Sequence, residues 1–136
     1  MYRVEYFIVP DDFLEIRREL GWKEIKKEQV EKAVNNSMIN VSVYNDKECM
    51  GIGRIVGDGV LKGMLTDILV KKEYHGMGVG KIVVTTLINE LNNKLNDGDL
   101  FQLEASPTSG NREFYIKCGM KYKPENQDGV YLWIKK

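Results

Sequence analysis

Between Asp67 and Leu95 an apolar run, Ile68-Leu69-Val70, passes through a short polar stretch into glycines at 76, 78 and 80 and then into a long segment of helical period. This order of elements brings the carboxyl end of a strand against the amino end of a helix. Glycines at alternate positions let several backbone N–H groups converge on one point, and the positive end of the helix dipole adds to their pull on an anion. A phosphate or pyrophosphate is the natural guest. The helix itself is set by Val84, Leu87, Ile88, Leu91 and Leu95 along one face, with Thr85, Asn89, Glu90, Asn92 and Lys94 on the other.

Spacing removes two common phosphate binders. A nucleoside-triphosphate loop needs four residues between its glycines and then Lys-Ser or Lys-Thr, whereas three residues separate Gly76 from Gly80 and Ile82 follows Lys81. A dinucleotide fingerprint starting at Gly76 and Gly78 calls for glycine at 81, where lysine stands, and it also needs a parallel βαβ unit before the loop. The preceding sequence reads instead as consecutive antiparallel strands.

Those strands begin at Met38, where Ile39, Val41 and Val43 alternate with polar residues, and turn at Asn45–Glu48. A second strand is predicted over Cys49–Val56. The turn Gly57-Asp58-Gly59 leads to a third over Val60–Val70, with Gly63 as its expected irregularity. Upstream, Val4–Val9 reads as a strand stopped by Pro10. Asp11 and Asp12 are placed to cap a helix that carries Phe13, Ile16 and Leu20 and ends at Gly21, and a second helix carries Val30, Ala33 and Val34. Downstream come a strand over Leu100–Ala105, a helix from Ser109 to Lys117, and a closing hairpin of Lys121–Tyr122 with Val130–Ile134. The order β-α-α-β-β-β-α-β-α-β-β predicts an α/β (α+β) domain over residues 1–136, with a mixed sheet of six to seven strands and helices on its faces.

Composition narrows the function classes. In 136 residues, 43% apolar, twenty basic side chains balance twenty acidic ones, so nothing favours a nucleic-acid partner. Cys49 and Cys118 stand alone without a CxxC pair, and His75 is the single histidine, which leaves no metal site to expect and fits a reducing cytoplasm. No run approaches the roughly 18 apolar residues of a membrane span. An exposed sheet edge could support a homodimer.

Two blocks carry a family resemblance. His75-Gly-Met-Gly-Val-Gly80, after a strand and before a long helix, resembles the acyl-CoA pyrophosphate loop of the GCN5-related N-acetyltransferase superfamily, with Gly78 and Gly80 at its two small positions and His75 where glutamine or arginine is usual. About thirty residues on, Asn111-Arg-Glu-Phe-Tyr-Ile-Lys-Cys-Gly-Met120 is similar to the superfamily's Asn-x-x-Phe-Tyr-x-x-x-Gly-Phe. The derived element order is also that of the superfamily, so the resemblance spans the chain.

The resemblance implies a sheet split between Ile68–Val70 and Leu103–Ala105, with the pantetheine arm of acetyl-CoA pairing along Ile68, Leu69 and Val70 like an added strand. Backbone N–H groups of Met77, Gly78, Val79, Gly80 and Lys81 would take the pyrophosphate, His75, Gly76 and Asn111 would border the cofactor, and an N–H near Val70 would polarise the thioester carbonyl. The implied reaction is direct attack by a primary amine of a small molecule or peptide. At neutral pH an alkylammonium must give up a proton at about 4 kcal/mol before it is a nucleophile. Asp67, in the strand entering the split, is the first candidate base and Glu104, on the facing strand, the second; the position where the superfamily often carries its acid is here Met64, which cannot serve. Tyr115 is the implied proton donor to the leaving thiolate. Asp11, Asp12 and Asp58 are compatible with a cationic acceptor. The alternatives are a catalytically silent acyl-CoA-binding regulator and, behind it, a nucleotide-binding protein using the same loop.

Overall fold

The computed structural model describes residues 2–107, 111–124 and 129–136. Their elements run β1 (Arg3–Glu5), α1 (Pro10–Glu19), α2 (Lys27–Asn35), β2 (Ile39–Asn45), β3 (Glu48–Gly57), β4 (Lys62–Val70), α3 (Val79–Lys94), β5 (Leu100–Ala105), α4 (Arg112–Lys117), β6 (Lys121–Tyr122) and β7 (Val130–Lys135). The seven strands form one sheet in the order β1-β2-β3-β4-β5-β7-β6, in which β4 and β5 are the parallel pair and the other neighbours are antiparallel. Element order and mixed sheet are those expected. The predicted start of the last helix at Ser109 lies outside the described residues.

Alternation along β3 divides the core between the two faces. Ile52 joins Phe13 and Ile16 of α1, Val30 and Val34 of α2, and Leu69 of β4 on one face. On the other, α3 lays Val83, Val84, Leu87 and Leu91 against Val41, Val43, Ile55 and Leu65. Gly53 lets the helix sit that low: a Cβ there would be 2.4 Å from Val83 Cγ1 and 2.7 Å from Ile68 Cδ1.

Several local expectations shift for identifiable reasons. Helix α1 begins at Pro10, whose missing N–H suits a first helical position, so Val9 is the N-cap and Asp11 and Asp12 sit in the first turn. The first strand is limited to Arg3–Glu5, the residues that pair with β2. Strand β4 starts at Lys62 because the Asp58 carboxylate accepts the amides of Val60, Leu61 and Lys62 at 2.8, 2.8 and 3.1 Å and holds them in the turn. Gly63 pairs regularly with Gly57 and Leu103. The irregularity falls at Asp67, where φ is +53° and the β3 register shifts, so that Asp67 and Ile68 together oppose Gly53 in a bulge.

Strand β5 pairs with β4 only from Lys62↔Gln102 to Leu65↔Ala105. On β4 the split begins at Thr66, two residues before the expected Ile68, and on β5 it begins only after Ala105. Leu103–Ala105 belong to the paired segment, and the gap runs beside Thr66–Val70, past the last rung.

Candidate functional site

A cleft of about 790 Å³ occupies this gap, with β4 residues 64–70 on one wall, Ser106, Asn111, Phe114 and Tyr115 on the other, and the glycine loop at one end. Ile68, Leu69 and Val70 all border it. Leu69 turns its side chain into the α1/α2 core, so at that position the cleft meets backbone. On the β5 side, this segment pairs with no strand among the described residues.

The loop end is built from main chain. Gly76 and Gly78 adopt φ of +79° and +81°, values that L side chains rarely take, and a Cβ on either would meet nothing within 4 Å. Gly78 is the N-cap of α3. The first backbone bond of the helix runs from the Ile82 N–H to the Gly78 carbonyl at 3.1 Å, leaving the amides of Val79, Gly80 and Lys81 without a partner inside the helix. Gly76, Gly78, Gly80 and Lys81 border the cleft. Val79 offers only its amide, since its side chain is buried in the α3 core, and the Met77 side chain is 65% exposed. Gly80 is a point of close approach, where a Cβ would lie 3.1 Å from Phe114 Cζ. These open, unpaired amides at a helix amino end suit a diphosphate.

His75, at the position of the usual glutamine or arginine, directs its ring back to β4 and bonds the Val70 carbonyl at 2.8 Å through Nε2. A carbonyl can only accept, so Nε2 carries the proton. The ring thereby ties the loop to the end of the strand.

Tyr115 lies on the opposite wall, packed edge-on to Phe114 at 5.1 Å between ring centroids. Burial, with a smaller contribution from Cys118, pushes its phenol up to about 12, so the hydroxyl is fully protonated at neutral pH. Asn111, just before α4, also borders the cleft.

The two carboxylates differ. Asp67 reaches the cleft wall, but Arg54 Nε donates to its Oδ2 at 2.8 Å and Arg17 Nη1 lies 3.6 Å from Oδ1, with all three side chains at most 15% exposed. Arg54 also donates to the Ala33 carbonyl and Ser37 Oγ, and Arg17 donates to the Lys23 carbonyl while its guanidinium stacks on Trp22 at 5.1 Å. Asp67 is thus the hub that ties the β4 bulge to α1, α2 and the segment between them. Glu104 is the in-register neighbour of Met64, which lines the cleft, one rung before the strands part. Its Oε1 lies 3.5 Å from Lys62 Nζ and 3.3 Å from Lys123 Nζ, and Oε2 has no ion-pair partner among the described residues. Glu104 faces a second cavity of about 280 Å³ with Gln102, Lys123, Tyr131 and Trp133.

The remaining acids expected near an acceptor are engaged elsewhere. Asp11 pairs with Lys27 at 3.1 Å, Asp12 accepts the Tyr44 hydroxyl at 2.8 Å, and Asp58 holds its turn. Sequence reasoning missed Leu20, Trp22, Thr66 and Ser106 in the cleft, and Lys62 and Lys123 beside Glu104. These come together only through sheet register and the docking of α1, and no local motif marks them.

Comparison with known proteins gives a consistent picture. A model described as the acetyltransferase (GNAT) family matches residues 4–120. The uncharacterized N-acetyltransferase ycf52 of Pyropia yezoensis is 26% identical over 118 residues, covering 84% of this chain and 66% of its own length. The histone acetyltransferase TAP1 of Glycine max is 25% identical, covering 84% of this chain and 52% of its own length, so the chain spans no more than about two thirds of these relatives. Among solved structures, a Staphylococcus aureus protein of unknown function, described as a probable acetyltransferase, superposes with a TM-score of 0.78 at 25% identity over all of both chains. The ribosomal-protein-S18-alanine N-acetyltransferase of Escherichia coli shares the fold, with a TM-score of 0.74 at 16% identity over 100% of this chain and 96% of its own.

Proposed function

The chain belongs to the acetyltransferase (GNAT) family, and on that basis we propose that it is an acetyl-CoA-dependent N-acetyltransferase acting on a primary amine. The observation that carries this reading is the continuity of one cleft from the unpartnered amides of Val79–Lys81, along the unpaired edge of Thr66–Val70, to Tyr115. A diphosphate at the loop, an extended amide-bearing arm along the strand and a thioester near Tyr115 fit those three parts in order. The bound co-substrate supplies an acyl thioester whose carbonyl carbon is the electrophile.

Residues of this chain do the rest. Main-chain amides of the loop neutralise the diphosphate, and the backbone groups of Ile68–Val70 that face the cleft, apart from the Val70 carbonyl already held by His75, hold the arm as an added strand would. Glu104, directly or through water, takes a proton from the incoming ammonium. We assign the base to Glu104 over Asp67 because both Asp67 oxygens face guanidinium groups, whereas Glu104 shares a single oxygen with two lysines. Tyr115, protonated at neutral pH, donates to the departing sulfur. Per turnover a C–N bond forms and a C–S bond breaks. The ammonium nitrogen loses two protons, of which one is balanced on the thiol and the other is released to solvent.

Incubation with acetyl-CoA and a panel of primary amines, read as free thiol released, tests the proposal. Turnover with at least one acceptor class is expected. Calorimetry showing no binding of coenzyme A would remove its basis.

A further inference from the structure

The charges around the acceptor end do not suit a polycation. Where β4 and β5 part, the described side chains that meet one another as ion pairs are Arg17, Arg54, Lys62 and Lys123 against Asp67 and Glu104, four cations to two anions. The whole chain has no net charge, so this local excess is a feature of the place and not of the composition. Asp11, Asp12 and Asp58, the acids that could have drawn a cationic acceptor, do not border the cleft, and Asp12 and Asp58 are further held by a tyrosine and a turn.

Of these four cations Lys123 borders the second cavity, and Lys62 stands beside it, 3.5 Å from Glu104 on its wall. Lys62, Gln102 and Trp133 form one in-register row across β4, β5 and β7, and Met64, Glu104 and Tyr131 form the next, so all six side chains share the sheet face away from α3. Met64 borders the cleft, while Glu104, Tyr131 and Trp133 border the cavity, which makes the two spaces neighbours. At about 280 Å³ the cavity is at the small end of ligand sites, the size for part of a small molecule. Trp133, 53% exposed, gives it an open aromatic wall.

Resting on the acetyl-transfer reading of the cleft, we propose that this cavity receives the acid group of the acceptor: the substrate is a small primary amine that also carries a carboxylate or phosphate, held by Lys62 and Lys123. Both lysines reach Glu104 at 3.3 to 3.5 Å; Lys62 is 60% exposed, so its pair is weak and exchangeable, while Lys123 is 24% exposed on the cavity wall. An arriving anion competes with Glu104 for them. As they turn to it, Glu104 is left with its full charge toward the ammonium of the same molecule, so recognition of the acid group and activation of the amine are coupled.

The test uses matched acceptors that differ only in the acid group: ethanolamine against phosphoethanolamine, glycinamide against glycine, with spermidine as the polycation. The acid-bearing member of a pair should have the higher kcat/KM by tenfold or more. Lys62→Glu and Lys123→Glu should each raise KM for it by at least tenfold while leaving the Kd for coenzyme A unchanged. The exposed Lys62→Ala should show the same direction with a smaller change. Equal activity within each pair, preference for spermidine or for peptide amino termini alone, or indifference to charge reversal overturns the proposal. If no acceptor releases thiol, the acetyl-transfer reading fails separately. Saturation-transfer NMR of phosphoethanolamine then still decides the anion site: a signal lost in Lys62→Glu supports it, and absence of a signal with the native chain sinks it.

Discussion

The two ends of the cleft are made of different materials. At the loop end, the proposed recognition uses main-chain amides beside positive-φ glycines, with few side chains involved. At the other end, and in the second cavity beside it, the proposed recognition uses charged side chains from α1, β3, β4, β5 and the residue after β6, of which Asp67 borders the cleft and Glu104 and Lys123 the cavity. A main-chain site depends on local conformation and tolerates changes elsewhere. A side-chain site depends on the packing that assembles it, so its members serve stability and recognition together. Substitutions at the two ends should therefore fail differently.

The largest effect is expected at the Asp67 hub. Asp67→Asn keeps a residue type that accepts φ of +53° but leaves Arg17 and Arg54 without their anion in a place where neither is more than 15% exposed. Removing one partner of such a cluster costs about 3 kcal/mol. Chemical denaturation should show that loss, with a Tm lower by about 10 °C. If the variant instead keeps its stability and loses only turnover, Asp67 is a base after all and the assignment to Glu104 is wrong.

Next comes Tyr115→Phe, which removes a hydroxyl and little else. The rate should fall about 100-fold, the range of a lost proton donor, while the Kd for coenzyme A stays within twofold. A fall in affinity of the same size as the fall in rate would make Tyr115 part of the binding wall and blur the division between the two ends.

A smaller change, of about 2 kcal/mol, is expected in alkali. Tyrosine ionises near 10 in the unfolded chain and near 12 at Tyr115 in the fold. Between those values the unfolded state has shed a proton that the folded state keeps, so the contribution of Tyr115 is whole below pH 10 and is lost as the pH rises to about 12. The native protein should lose stability relative to Tyr115→Phe over that interval. On the kinetic side, the phenol imposes no falling limb on kcat below pH 10.

The contrast between the ends also explains what was legible in the sequence. Glycine spacing, the apolar stripe of α3 and the Phe114-Tyr115 block are local signals, and the loop, the helix and the facing wall follow from them. The bulge at Asp67 was not legible, because the partners that hold it are distant in sequence: Arg54, 13 positions away, arrives with β3, and Arg17, 50 positions away, only once α1 has docked. The side-chain alternation that predicted β4 places Asp67 in a strand but says nothing of its φ. Lys62 and Lys123 read as ordinary solvated lysines until the β4–β5–β7 register brings them to Glu104. The strand limits erred where a side chain decided them, as Asp58 does by holding three amides of the turn before β4.

The smallest predicted effect isolates the main-chain end. Gly78→Val places a β-branched residue at φ of +81°, a conformation that disfavours it by about 1 to 2 kcal/mol, in a position where its Cβ meets nothing within 4 Å. The strain is therefore with the residue's own backbone and not between its Cβ and neighbouring residues, and the loop relaxes by turning its amides away from their common point. The Kd for coenzyme A should rise about tenfold, with the KM for the amine unchanged. Asparagine tolerates the left-handed region, so Gly78→Asn should recover most of that affinity despite its larger side chain. If asparagine is as poor as valine, the loop recognises its ligand through open space at Gly78 and not through the direction of its amides, and the two ends of the cleft are less different than their construction suggests.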